Sequence, residues 1–159
     1  MKSKTYNRPW GFYLLHESVD LKDNESGDVM KVKTLFVNPG KSLSLQSHRY
    51  RAERWFALQG VGKAELDLSQ FGRSEGLESH YEVFEPFLPG EALYVPKGAK
   101  HRLSNPGVTQ FILLEIQIGD LADEDDITRY EESVTFLVPT PSDAGSYPGQ
   151  SLPKLATDT

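Results

Sequence analysis

The chain of 159 residues contains no cysteine. That excludes disulfide scaffolds, thiolate zinc sites, iron–sulfur clusters and thiol catalysis together. Histidine is scarce, with four in all, so any bound metal must draw on few imidazoles and on oxygen ligands. Excess basic charge is absent as well. Lys and Arg number 17 against 23 Asp and Glu, a net charge of -6, which argues against a phosphate backbone as partner. Long apolar runs are missing. The stretch Phe111 to Leu114 is broken by Glu115 and Gln117, far short of the ~20 residues of a membrane span. The polar start, Met1 to Asn7, is followed by no apolar leader core. A cytoplasmic protein with no membrane or nucleic-acid partner is expected. What the chain does have is 38% hydrophobic residues, enough for one packed core in a domain of this length.

Short apolar segments recur between Gly and Pro. They run Phe12 to Leu15, Met30 to Val37, Ser42 to Ser47, Trp55 to Leu58, Ala64 to Leu68, Tyr81 to Phe84, Ala92 to Val95, Arg102 to Ser104 and Phe111 to Ile118. Strands at such spacing predict an antiparallel sandwich or barrel. Ser69 to Ser79 reads as a long loop. Helical pattern is rare: Asp125 to Glu132 is predicted as one short helix, with Asp125 or Asp126 as cap and Ile127 and Tyr130 on one face. Barrel and flanking elements are expected over residues 1–138. A Pro-, Ser- and Thr-rich tail follows over 139–159.

Two His stand beside complementary polar residues. In the first group, Gln46, His48 and Tyr50 share a face if the strand runs that far, and Glu53 follows a turn into the strand through Trp55. In the second, Ala92 to Val95 leads into the Pro96-Lys97-Gly98 turn, and His101 opens the next strand. Two imidazoles, a carboxylate and an amide oxygen from different strands suit a divalent ion such as Zn, Mn, Fe or Co. The same residues also read as hydrogen-bonded His, with Glu53 paired to Arg51 or Arg54. His16 and His80 have no such company and read as surface or loop residues. Trp10 and Trp55 read as core or interface, and Phe56 and Tyr94 as core.

Gly40 to Gly60 and Gly90 to Asn105 resemble the two motifs of the cupin superfamily, the second closely through Gly90, Pro96, Gly98, His101 and Asn105. More specifically, the chain resembles the cupin domain of type II mannose-6-phosphate isomerases. That domain occurs alone or behind a mannose-1-phosphate guanylyltransferase domain. The strings are Arg8-Pro9-Trp10-Gly11, Lys31-Val32-Lys33, Pro39-Gly40-Lys41, Leu43-Ser44-Leu45-Gln46 with His48, and Arg51-Ala52-Glu53 with Trp55. Later come Glu115-Ile116-Gln117-Ile118-Gly119 and Glu124-Asp125-Asp126-Ile127 with Arg129. The resemblance covers about Tyr6 to Glu132. The chain departs from the pattern at Tyr50 and Arg54, where the family carries His. It also lacks the Tyr-Gly-Arg string that the family places after Arg129. Gln46-Ser47-His48 is similar to the Gln-x-His metal pair of type I mannose-6-phosphate isomerases.

The resemblance implies an all-β cupin jelly-roll barrel and a metal held by Gln46, His48, Glu53 and His101. It implies a metal-dependent aldose–ketose isomerase working through an enediol on a sugar phosphate. Glu115 is then the candidate base and Arg129 the first choice for the phosphate, with Lys41, Tyr50 and Arg51 as further substrate contacts. A homodimer is expected. Two alternatives stand beside the isomerase: a non-catalytic cupin that binds a sugar or small acidic metabolite, and a metal-dependent dioxygenase, for which His is in short supply. A guanylyltransferase is not expected of this chain alone, for want of length and of a Gly-rich nucleotide loop.

Overall fold

The computed structural model describes residues 3–20, 28–71, 81–120, 122 and 124–138. The tail at 139–159, His80 and most of the loop after Ser69 lie outside these. Among the described residues, eleven strands form two antiparallel sheets that enclose the interior. They are β1 (Lys4–Arg8), β2 (Gly11–Asp20), β3 (Val29–Val37), β4 (Leu45–His48), β5 (Arg51–Gln59), β6 (Gly62–Asp67), β7 (Tyr81–Phe87), β8 (Ala92–Val95), β9 (Lys100–Ser104), β10 (Phe111–Gly119) and β11 (Ile127–Glu131). The larger sheet has the order β1-β2-β3-β10-β5-β8, the smaller β11-β4-β9-β6-β7. Among the described residues no helix is long and apolar enough to cross a membrane.

Alternation builds the interior. Along β10, Phe111, Leu113, Glu115 and Gln117 are buried, while Ile112, Leu114 and Ile116 lie half-buried on the outer face. Along β5, Ala57, Trp55, Glu53 and Arg51 point inward. The inner residues therefore change character along each strand. At one end Val37, Leu35, Ala57, Phe111, Leu113, Leu66, Leu103 and Phe87 pack as an apolar core, where each large side chain contributes ~1.5–3 kcal/mol. At the other end the register sets Lys33 opposite Glu115 and Glu53 opposite Gln117, with His101 one turn of the pleat beyond Leu103. The apolar half carries the stability that lets the polar half bury its charges.

Two segments differ from expectation. Asp125 to Glu132 is not a helix: a 3-10 turn at Glu124–Asp126 leads into β11, which covers the edge of β4 with Ile127 opposite His48 and Arg129 opposite Gln46. Asp126 spends its capping chemistry elsewhere, accepting the Arg49 and Tyr50 amides at 3.0 and 3.1 Å. An open strand edge with Ile, Thr and Tyr to pair it outweighs a weak helical period. β1 was not anticipated. It pairs with β2 and stacks Tyr6 on Tyr13, ring centroids 4.8 Å apart. The outer faces also correct single residues. Tyr94 is exposed, Phe56 half-buried and Leu58 exposed, so β5 is apolar outside without being covered there. His16 sits in β2, half-buried, 2.7 Å from Thr34 Oγ1.

Asn105 ties the second motif to the core. Its Nδ2 donates to the carbonyls of Val37 (2.7 Å) and Thr109 (2.8 Å), and its Oδ1 accepts from the Gly107 amide (2.9 Å). Asn105→Ala strips three partners from a fully buried position. Leaving such groups unpaired costs ~1–3 kcal/mol, so unfolding in urea should show a loss of about 2 kcal/mol. A loss within error of zero would remove this role.

Candidate metal centre and adjoining cavity

β4 ends at His48, Arg49 and Tyr50 bend, and β5 begins at Arg51. This reversal brings Glu53 back against His48. The Pro96-Lys97-Gly98 turn closes on the same spot: Gly98, at φ +85°, donates its amide to the His48 carbonyl at 2.6 Å. β9 then delivers His101. Gly119 permits the tight approach of β10 to β5, because a Cβ there would lie 2.0 Å from the Tyr50 carbonyl oxygen. The result is a buried trio, His48, Glu53 and His101, with one donor atom from each within 4.8 Å of the others.

The trio is oriented by its surroundings. His101 Nδ1 lies 2.9 Å from the Ala99 carbonyl and His48 Nδ1 3.4 Å from that of Asp126. These contacts assign the Nδ1 protons and turn both Nε2 atoms to Glu53, at 3.0 Å for His48 and 3.6 Å for His101. Glu53 accepts from Trp55 Nε1 (3.0 Å), Gln117 Nε2 (2.9 Å) and Arg51 Nε (3.4 Å). Burial pushes the Glu53 carboxyl up, but His48, His101 and Arg51 outweigh it and hold the group well below the usual carboxylate range. Burial lowers His101 to about 4, so its imidazole is neutral near pH 7.

Do these residues fit a divalent ion? His101 Nε2 is buried with no hydrogen-bond partner. A 3.0 Å approach of His48 Nε2 to Glu53 Oε1 needs a proton or a cation between two acceptors. Two imidazoles anchored through Nδ1, with one carboxylate, form a donor set for Zn, Mn, Fe or Co. The trio fits, and can hold a metal.

Beside it opens a cavity of about 170 Å³, below the ~300–1,000 Å³ of sites for drug-sized ligands, which restricts an occupant to a small molecule. Arg8, Lys33, Arg51 and Arg129 line it, together with Glu115, Glu124 and Glu132. Burial first, then the nearby Glu53 charge, raises Glu115 to about 7 despite Lys33 at 3.8 Å. Glu115 is therefore part-protonated near neutrality, and the cations prevail locally in a protein that is acidic as a whole.

The predicted residues divide. His48, Glu53 and His101 come together. Gln46 stands opposite His101 in the pairing of β4 with β9; its Oε1 accepts from Ser44 Oγ at 2.9 Å, and it lines the cavity. Arg51 and Glu115 face the cavity interior. Arg129 stands at its rim, 44% exposed and 3.6 Å from Glu124. Tyr50 and Lys41 lie outside. The bend after His48 turns Tyr50 to solvent under the Arg49 guanidinium. Lys41 pairs with Thr135, donating to its hydroxyl at 2.7 Å. Lys33, Arg8, Tyr13 and Gln117 were missed. Counting by twos from Val37 reaches Lys33, and from Glu115 reaches Gln117, so alternation carried that signal.

An antiparallel barrel with imidazoles and a carboxylate converging inside one end is a cupin. The chain belongs to the family described as mannose-6-phosphate isomerase C-terminal, whose model matches residues 1–132. Among curated relatives, the alginate biosynthesis protein AlgA of Pseudomonas putida is 36% identical over 79% of this chain and 21% of its own length. The mannose-1-phosphate guanylyltransferase of Escherichia coli K12 is 34% identical over 79% of this chain and 22% of its own. The chain thus spans about a fifth of the length of these relatives. Among solved structures, the capsular polysaccharide assembling protein CapF of Staphylococcus aureus is 15% identical with a TM-score of 0.59, over 82% of this chain and 34% of that one. Oxalate decarboxylase of Lactobacillus farciminis is 17% identical with a TM-score of 0.52, over 84% and 33%. Both show the fold alone.

The relatives correct the expected activity. The sequence predicts a sugar-phosphate isomerase, yet relatives at this identity are named mannose-1-phosphate guanylyltransferase or for alginate biosynthesis. The isomerase assignment is withdrawn.

Proposed function

We propose that this chain is a metal-centred cupin module that binds a small sugar phosphate, a mannose phosphate in the first instance. The observation that carries this reading is a shared wall: Arg51 and Gln117 line a cavity with Arg8, Lys33 and Arg129, and both hydrogen-bond Glu53 of the His48–Glu53–His101 trio. Arginines offer paired donors to phosphate oxygens. Glu115, where protonated, and Gln46 offer donors suited to sugar hydroxyls. The trio would hold the metal, which as a Lewis acid would bind sugar oxygens. The names of the relatives support the substrate class.

The test is ligand-dependent stability of the metal-loaded chain. Mannose 1-phosphate or mannose 6-phosphate, at about a hundredfold over its Kd, should stabilise the protein by about 2.7 kcal/mol, while mannose and inorganic phosphate do much less. Arg129→Ala should weaken the phosphorylated sugars selectively. Equal shifts from mannose and its phosphates, or no shift from any, would end this reading.

A further inference from the structure

Arg51 occupies a position that the trio's chemistry does not require. Its side chain is buried, 2% exposed. Nη2 lies 3.4 Å from His48 Nε2, and Nε lies 3.4 Å from Glu53 Oε1. Nη1 is 3.6 Å from Asp126 Oδ2. Two of these atoms, His48 Nε2 and Glu53 Oε1, are among those a metal would use. An imidazole nitrogen has one lone pair. It accepts from a guanidinium or binds a metal, never both. A guanidinium, moreover, does not lose its charge in a protein.

We infer that Arg51 is a built-in competitor of the metal: an internal cation that neutralises the metal-free centre and must release His48 and Glu53 before a divalent ion enters. The proposal rests on the metal reading given above. Asp126 gives the displaced guanidinium a second carboxylate, and the cavity that Arg51 already lines gives it room. The fold therefore sets metal affinity by a charge balance: Arg51 stabilises the empty centre and opposes the filled one. Linkage makes this reciprocal, so metal binding loosens Arg51 by the factor that Arg51 weakens the metal.

The experiment is zinc titration of the full chain against a chromophoric chelator, with wild type, Arg51→Met and Arg51→Gln. Both variants remove the charge, and the second keeps polarity should the first fail to fold. The expected result is zinc binding at least tenfold tighter in the variants, with metal-free melting temperatures below wild type and a larger gain on adding zinc. Arg51→Ala should bind zinc tightly too, and added methylguanidinium should weaken it again, an effect a merely structural arginine would not produce. Zinc bound by wild type but no more tightly by the neutral variants would overturn the inference and leave the metal reading standing. Zinc bound by none of them would remove both.

Discussion

Glu53→Gln should destabilise the protein by about 3–5 kcal/mol, the usual cost of removing one member of a buried charge network, and should abolish stoichiometric metal binding. Glu53 is 1% exposed, and its two oxygens meet five groups: the Trp55 indole, the Gln117 amide, Arg51, His48 and His101. An amide preserves shape but not charge. One of its two ends becomes an NH2 and must face a donor, either Trp55 Nε1 or Gln117 Nε2. The Arg51 guanidinium then loses the Glu53 charge and faces the Asp126 carboxylate at 3.6 Å. Apolar packing at the far end is untouched, so the loss is local in origin and global in readout. Urea unfolding and metal content after dialysis against zinc give the two measurements. A loss below about 1 kcal/mol, the scale of an exposed pair, with metal retained, would show that Glu53 does not organise the centre.

The parts of the site that were legible are those bound to short sequence spacing. His48, Glu53 and His101 sit next to turns whose Gly and Pro signals are local, and both turns form as expected. Tyr50 shows the limit of that logic. Alternation predicts its face only while β4 continues, and the strand ends at His48 because Asp126, 76 residues away, captures the Tyr50 amide. β11 was illegible for the same reason: its strand state comes from pairing with β4, not from its own pattern. Lys33 and Gln117 reach the site through register across β3, β10 and β5, which no single segment encodes. A buried lysine or glutamine becomes intelligible once the opposing strand shows a glutamate beside it. The activity was the least legible level, since one barrel serves several chemistries and the residues alone do not say which.

Glu115→Gln should change how stability depends on pH, and the sign follows from two opposed shifts. Glu115 is raised from 4.5 to about 7 in the fold. Between those values the folded state holds a proton that the unfolded chain has released. This contribution is fully present below pH 4.5 and is lost as pH rises toward 7. His101 is lowered from 6.5 to about 4. Here the unfolded chain holds the extra proton, so stability is lost as pH falls from 6.5 to 4. Between pH 4.5 and 6.5 the two slopes cancel, and these groups leave wild-type stability flat. Glu53, held well below 4.5, adds its own loss only in more acid solution. Removing the Glu115 carboxyl leaves the His101 slope uncovered at about 1.4 kcal/mol per pH unit. The variant should therefore gain about 3 kcal/mol relative to wild type between pH 4.5 and 6.5. Glutamine still offers an oxygen to the Gln117 amide that Glu115 accepts at 2.7 Å, so packing is preserved and the difference reports charge. Urea midpoints of both proteins at pH 4.5, 5.5 and 6.5 supply the comparison. A difference that stays constant across the three would mean that the Glu115 carboxyl is ionised throughout, and the cavity would then lose the protonated donor assigned to it.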